Sequence, residues 1–306
     1  MGVGLKGGLR EGLRRYFLAT RPCALLSSIS LALTGGVIAM RLYTGFTIAG
    51  AAVTLVAAVG LSLFLAAENV FDDYLDTLRG VDMPGAPRIT YNPHGFYSLG
   101  MSVGQLRNYS LALFGAGSAI VALATFLPNR PLLPLFLALG SPLLFLYPAP
   151  RGFKYGGVGE IDVLLMGILM VVGTAYAVSG ALSLREVALS LPPSIITTSV
   201  LLADNMRDYK WDKAHGVRTL PVRVGMRATS ALYAALVFTS LLLPAFMVWP
   251  WGLLSLAVAP MAIYSTLIVV GVVRVQLSTA VKFRFYTVLA LTVTYLVALS
   301  LPRALP

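Results

Sequence analysis

Nine long apolar runs separated by polar segments organise this chain: residues 24–40, 46–67, 109–127, 132–146, 163–182, 187–202, 228–249, 253–273 and 285–301. A helix needs about 20 mostly apolar residues to cross a hydrocarbon core roughly 30 Å thick, and most of these runs approach or reach that length. The fourth is short. The sixth contains Pro192-Pro193, which predicts a break or kink, and Pro260 lies inside the eighth. The pattern predicts an all-α polytopic membrane protein. About nine transmembrane helices would surround a central cavity, in a single domain over residues 1–306.

Nine alternating spans sort the polar segments onto two sides, and the basic residues divide 19 to 4 between them. The rich side holds, among others, Lys6, Arg10, Arg14, Arg15 and Arg21 before the first span, and Arg274, Lys282 and Arg284 after the eighth. The poor side holds Arg41, Arg130, Arg185 and Arg303. This asymmetry puts the N-terminus in the cytoplasm of a multi-pass cell-membrane protein. Ten of the twelve acids lie at the cytoplasmic ends of spans or in the loops joining them.

Those acids repeat. Glu68-Asn69-x-x-Asp72-x-x-x-Asp76-x-x-x-Gly80 returns as Asp204-Asn205-x-x-Asp208-x-x-x-Asp212-x-x-x-Gly216, at a constant offset of 136 residues. The two copies mark pseudo-repeat halves, 68–80 and 204–216, and each begins where an apolar run ends. On a helix, i, i+4 and i+8 fall on nearly one face, so each copy presents a ladder of mutually repelling carboxylates. Oxygen ligands in that arrangement suit a hard divalent cation, and two facing ladders suit two or more Mg2+ ions shared with substrate phosphates. Arg79, Arg88, Lys154 and Arg218 would complete a diphosphate clamp. Asp73 and Asp82 fall off the ladder's period. Between the copies, residues 147–160 form a Pro- and Gly-rich connection carrying Tyr147, Lys154 and Tyr155. Lys154 serves either a phosphate or the topology signal, and the tyrosines also suit an interfacial position. Glu160 and Asp162 open the fifth span, where a carboxylate complements the helix dipole.

Composition narrows the function. The chain is 58% hydrophobic and 11% charged, against about 25% charged for an ordinary soluble domain. The net charge of +11 is explained by topology, which argues against a nucleic-acid partner. One cysteine, Cys23, allows no internal disulfide, and two histidines are too few for a zinc site. No flavin or nicotinamide fingerprint is present. The basic N-terminal segment reads as an amphipathic, membrane-surface start.

These motifs resemble the UbiA family of intramembrane aromatic prenyltransferases. Family members carry N-D-x-x-D-x-x-x-D after the second helix, D-x-x-x-D after the sixth and a Y-x-x-x-K-type segment between. The matching stretches are Glu68-Asn69-x-x-Asp72-x-x-x-Asp76, Asp208-x-x-x-Asp212 and the segment from Tyr147. Gly216-Val217-Arg218-Thr219-Leu220 resembles the family's G-x-[KR]-[ST]-L stretch, and Arg21-Pro22 a common family start. Two positions depart: Glu68-Asn69 stands for Asn-Asp, and Arg151 occupies the strict lysine position. The resemblance covers residues from about 20 to 301. It implies Asp72, Asp76, Asp208 and Asp212 as Mg2+ ligands supported by Glu68, Asn69 and Asp204. It implies diphosphate contacts from Arg79, Lys154, Arg218, Arg21, Asn69 and Asn205, and adds Lys154 and Tyr147 to the catalytic set. The expected reaction transfers a polyprenyl group from its diphosphate to a small aromatic acceptor. 1,4-Dihydroxy-2-naphthoate is favoured by the 218–225 run and Gly80-Val81-Asp82; 4-hydroxybenzoate and the lipid phosphate geranylgeranylglyceryl phosphate are alternatives. The rival from another class is a cation or metabolite transporter, whose ionisable groups would lie nearer the bilayer midplane.

Overall fold

The computed structural model describes residues 5–273, 275 and 277–302. Of the residues in the charge count, Arg274 and Arg303 lie outside the described residues, as do the side chains of Lys6 and Lys282. The described residues form helices and connecting turns, with no strand among them. In chain order the helices are α1 (Leu5–Ala19), α2 (Pro22–Ala39), α3 (Ile48–Arg79), α4 (Pro87–Tyr91), α5 (Val103–Ala124), α6 (Leu133–Leu146), α7 (Phe153–Gly156), α8 (Gly159–Ser179), α9 (Leu184–Ala214), α10 (Leu220–Val224), α11 (Met226–Met247), α12 (Ala259–Val269) and α13 (Leu277–Ser300). A π-helical turn, Met40–Thr44, extends α2, and a 3-10 stretch, Trp251–Val258, leads into α12.

Eight of these segments are long and apolar enough to cross a membrane. The fourth expected span is α6, at 14 residues, or about 21 Å at 1.5 Å per residue, which is less than the hydrocarbon thickness. The eighth span divides at Pro260: the chain is 3-10 before it and α-helical from Ala259. Of the break or kink expected in the sixth, the break does not occur. Pro192 and Pro193 lie inside the continuous 31-residue helix α9 and do not break it. Pro193 leaves the Leu189 carbonyl without its intrahelical donor, and the buried Tyr295 hydroxyl of α13 donates to that carbonyl at 3.0 Å.

α3 and α9 are the longest elements, at 32 and 31 residues. Each extends about 45 Å or more, so its final turns project beyond a hydrocarbon layer. The acidic motifs therefore lie on helices, as the ladder spacing requires, and the loops begin only at Gly80 and His215. Gly80 terminates α3 in the left-handed conformation, φ 66°, with its N–H directed to the Asp76 and Thr77 carbonyls. α2 packs against α3, α8, α9 and α13, and α9 packs against α8, α11 and α13.

Close approach of α2 to its neighbours depends on Gly35 and Gly36. A Cβ at Gly35 would collide with the Val171 carbonyl of α8, and one at Gly36 with the Thr54 side chain of α3. Small residues at such crossings let helix backbones approach where lipid offers no hydrophobic drive for association. Gly36→Val is expected to destabilise the fold by about 1–3 kcal/mol through overpacking, read as a lower unfolding temperature in detergent; an unchanged temperature would contradict this packing account.

Candidate functional site

The two motif helices end side by side, around a cavity of about 210 Å3. Asp72 and Asp76 line it from α3, and Asp204, Asp208 and Asp212 from α9. Trp211 of the second copy donates to the Val81 carbonyl at 2.8 Å, joining the α9 ladder to the turn that follows the α3 ladder.

Each of these five carboxylates is matched by a donor. Lys154 reaches from α7 and bridges Asp72, at 2.7 Å, and Asp76. Tyr155 donates to the other Asp76 oxygen at 2.6 Å. Arg21 donates to Asp72 at 2.9 Å and also to Asp73. It does so from a left-handed backbone, φ 56° and ψ 66°, at the start of α2. A non-glycine residue there carries about 1–2 kcal/mol of strain. The second ladder is balanced locally: Arg207 donates to Asp204 at 2.8 Å and to both Asp208 oxygens, at 2.7 and 2.6 Å. Asp212 accepts from Thr219 at 2.9 Å. Buried Arg284 donates to the Ser199 and Val200 carbonyls and lies 3.4 Å from Asp204.

Asp73, off the ladder's period, faces the connecting segment. It is completely buried and accepts from Arg88 at 2.7 Å and from the Gly95 amide at 3.0 Å. Beside it, His94 accepts the Phe96 amide at Nδ1, 3.2 Å away. That arrangement assigns the ring proton to Nε2, which faces Asp82 at 3.2 Å. These contacts fasten residues 80–100 across the end of α3.

Electrostatics fixes protonation states outside the spans. Burial pulls the Lys154 ammonium down, but Asp72 and Asp76 outweigh it and hold its pKa well above the usual lysine value. Burial similarly opposes the Arg21 charge, and Asp73 and Asp72 more than restore it. Burial raises Tyr147 well above the ordinary tyrosine value, so its phenol is neutral and a donor at physiological pH. Tyr91, which lies under the Arg207 guanidinium at 4.8 Å, is pushed up to about 12 by burial and then by Asp204.

Most of the residues singled out by sequence line this one cavity: Arg21, Glu68, Asn69, Asp72, Asp76, Tyr147, Lys154, Asp204, Asn205, Asp208 and Asp212. Arg79 and Arg218 do not line it. Arg79 donates to the Pro148 carbonyl at 2.8 Å and stacks over the Tyr155 ring, bracing the turn that delivers Lys154. Arg218 is solvent-exposed. Asn69 donates to the Thr20 carbonyl at 3.0 Å, and Asn205 to Glu160 at 2.9 Å. Arg88, expected in the clamp, also lines the cavity, and so do Asp82, Tyr91 and Arg207, which the ladder's period did not assign to it. Seven carboxylates line this one cavity (Glu68, Asp72, Asp76, Asp82, Asp204, Asp208 and Asp212), a hard-oxygen donor set of the kind that Mg2+ takes.

Together these features define an all-helical membrane enzyme with a carboxylate-lined site at one end of its bundle. The chain belongs to the UbiA prenyltransferase family, whose model matches residues 28–291, and it is a multi-pass membrane protein. It is 28% identical over 229 residues to the UbiA prenyltransferase domain-containing protein 1 homolog of Drosophila melanogaster, covering 74% of this chain and 62% of that protein. Against the UbiA prenyltransferase domain-containing protein 1 of Gallus gallus it is 27% identical over 244 residues, covering 77% and 69%. The fold matches an apo UbiA homolog from Aeropyrum pernix K1 with a TM-score of 0.67 at 19% identity, covering 89% of this chain and 97% of that one. It matches a UbiA homolog from Archaeoglobus fulgidus bound to GPP and Mg2+ with a TM-score of 0.63 at 15% identity, covering 94% and 100%.

Because the Lys154 pKa is raised, its contribution to stability is complete below the unfolded lysine value of about 10.4 and is lost only as pH rises through the higher folded value. Lys154→Met is therefore expected to destabilise the metal-free protein by about 3–5 kcal/mol, the usual range for breaking a buried ion pair. The loss should be nearly constant between pH 6 and 9, within about the lysine's fully charged range. Thermal unfolding across that range checks it; a loss confined to one end would contradict the assignment.

Proposed function

We propose that this chain transfers a polyprenyl group from a polyprenyl diphosphate to a small hydroxyl-bearing acceptor, an aromatic quinone precursor such as 1,4-dihydroxy-2-naphthoate or 4-hydroxybenzoate. The observation that carries this reading is the convergence of both ladders, Lys154 and Arg21 on one cavity. Asp72, Asp76, Asp208 and Asp212 would hold two or more Mg2+ ions, which when bound neutralise the charge of the diphosphate leaving group. The solved relatives from Archaeoglobus fulgidus, bound to GPP or DMAPP with Mg2+, support this ligand class.

The chain's own residues supply the rest. Lys154 and Arg21 are the cations placed to pair with phosphate oxygens in the same space. The allylic C–O bond breaks, its electron pair leaves with diphosphate, and the acceptor supplies the pair for the new bond and then releases the proton or carboxyl group that this bond displaces. An allylic cation must be shielded from water. The inner wall, formed in part by Leu65, Val163, Val200, Leu201 and Phe285, is apolar and receives the first isoprene units. The acids cluster at the ends of α3 and α9 and not at mid-helix, which supports an enzyme over a transporter. The 19-to-4 charge asymmetry supports a cytoplasmic N-terminus and a cytoplasmic acidic end.

Purified protein supplied with Mg2+ and geranylgeranyl diphosphate is expected to prenylate one of three parallel acceptors: 1,4-dihydroxy-2-naphthoate, 4-hydroxybenzoate or geranylgeranylglyceryl phosphate. Product on the last would move the acceptor class to lipid phosphates. Asp72→Ala and Asp208→Ala should each reduce turnover by about a hundredfold or more, as expected when groups that balance transition-state charge are removed. Chelation of Mg2+ should abolish turnover. Mg2+-independent activity would contradict the assignment. For orientation, single cysteines replacing Thr44 and Arg218 in a Cys23→Ser background should label from the periplasmic or external side and the cytoplasmic side respectively; the reverse would overturn the topology.

A further inference from the structure

The diphosphate reading assigns no role to Glu68, a carboxylate that lines the cavity. Glu68 lies four residues before Asp72 on α3, about 6 Å inward along the helix axis. It lines the same cavity. The outer carboxylates of Asp72, Asp76 and Asp208 are each held by a cationic side chain. Among the described residues, Glu68 has no hydrogen-bond or ion-pair partner. The same cavity wall also carries Leu65, three residues before Glu68 on α3, with Val163, Thr197 and Leu201.

A carboxylate in such surroundings is costly unless a polar group meets it. The isoprenoid tail offers none, because it is hydrocarbon throughout. The metal already has the carboxylates of Asp72, Asp76, Asp208 and Asp212 to hold it in the transferase reading. The remaining ligand of the reaction is the acceptor, whose hydroxyl is a hydrogen-bond donor of the kind Glu68 lacks. We infer that Glu68 recognises the acceptor, accepting a hydrogen bond from its hydroxyl group, and is not a metal ligand. The neutral Tyr147 phenol, which lines the same cavity, supplies a donor for a second polar group of the acceptor. The position also suits the chemistry. With diphosphate at the ladders and the tail directed inward, the allylic carbon lies on the inner side of the rim, beside a hydroxyl-bearing molecule held at Glu68.

This inference rests on the transferase reading, and the test separates the two. Full-length protein in lipid nanodiscs would be given Mg2+ and geranylgeranyl thiolodiphosphate, a donor analogue that resists ionisation. Its affinity is measured first. Binding of 1,4-dihydroxy-2-naphthoate, 4-hydroxybenzoate and geranylgeranylglyceryl phosphate to the loaded protein follows, for wild type, Glu68→Gln and Glu68→Asp. At least one probe should bind the wild type. Glu68→Gln should weaken that binding by about ten- to a hundredfold, as for loss of a charge-assisted hydrogen bond, and leave donor-analogue affinity within about twofold. Glu68→Asp should retain part of it. A fall in donor-analogue affinity or in its Mg2+ dependence on Glu68→Gln would place Glu68 among the metal ligands and overturn the inference. So would unchanged affinities for both ligands, or failure of every probe to bind a donor-loaded wild type. If the analogue itself does not bind wild type with Mg2+, the transferase reading fails first.

Discussion

The constraint on which the rest of the structure depends is buried negative charge. Two carboxylate ladders end next to each other, partly out of water, and like charges at that spacing repel more strongly as the local dielectric falls. The fold answers with cations brought from several elements. Lys154 arrives on a one-turn helix braced by Arg79 and Tyr155. Arg21 arrives on a strained backbone between α1 and α2. Arg88 comes from α4 to Asp73 and Arg284 from α13 to the side of Asp204. Connections that would otherwise be free to vary are thereby fixed by the charge they deliver.

The two copies of the motif are alike in sequence but are stabilised differently. The α3 copy is held from outside by Arg21 and Lys154, so its geometry depends on how α2, α7 and α3 meet. The α9 copy carries its own counter-ion, Arg207, within the helix. Positive charge already resides where a metal-bound diphosphate would be accommodated, and Lys154 and Arg21 are suited both to neutralise the free site and to contact the bound anion. The small residues at the α2 crossings serve the same end, because they bring α3 and α8 close enough for their ends to share one cavity.

Much of this was legible in the sequence. Apolar runs marked the helices because hydrocarbon tolerates so few alternatives, and the repeated acids stood out in a chain with only twelve. What was hidden depended on tertiary placement. Asp73 breaks the ladder's period, yet that break turns it toward Arg88 and the Gly95 amide. Arg284 reads as a topology signal but is buried against α9. Pro192-Pro193 reads as a helix break, and a tyrosine 102 positions after Pro193 answers the freed carbonyl from another helix. Arg79 reads as a phosphate ligand because it neighbours the ladder, but its direction is set by the Pro148 carbonyl.

The central claim is that both ladders form one site in which divalent metal and diphosphate are bound together. The direct measurement is Mn2+ binding to the purified protein by electron paramagnetic resonance, with and without inorganic diphosphate, Mn2+ standing in for Mg2+. The account predicts that each ligand tightens the other's binding, by the same factor in both directions as linkage requires, and that Asp76→Asn and Asp212→Asn each remove this coupling. Tight Mn2+ binding that ignores diphosphate, or coupling that survives loss of either ladder, would contradict it.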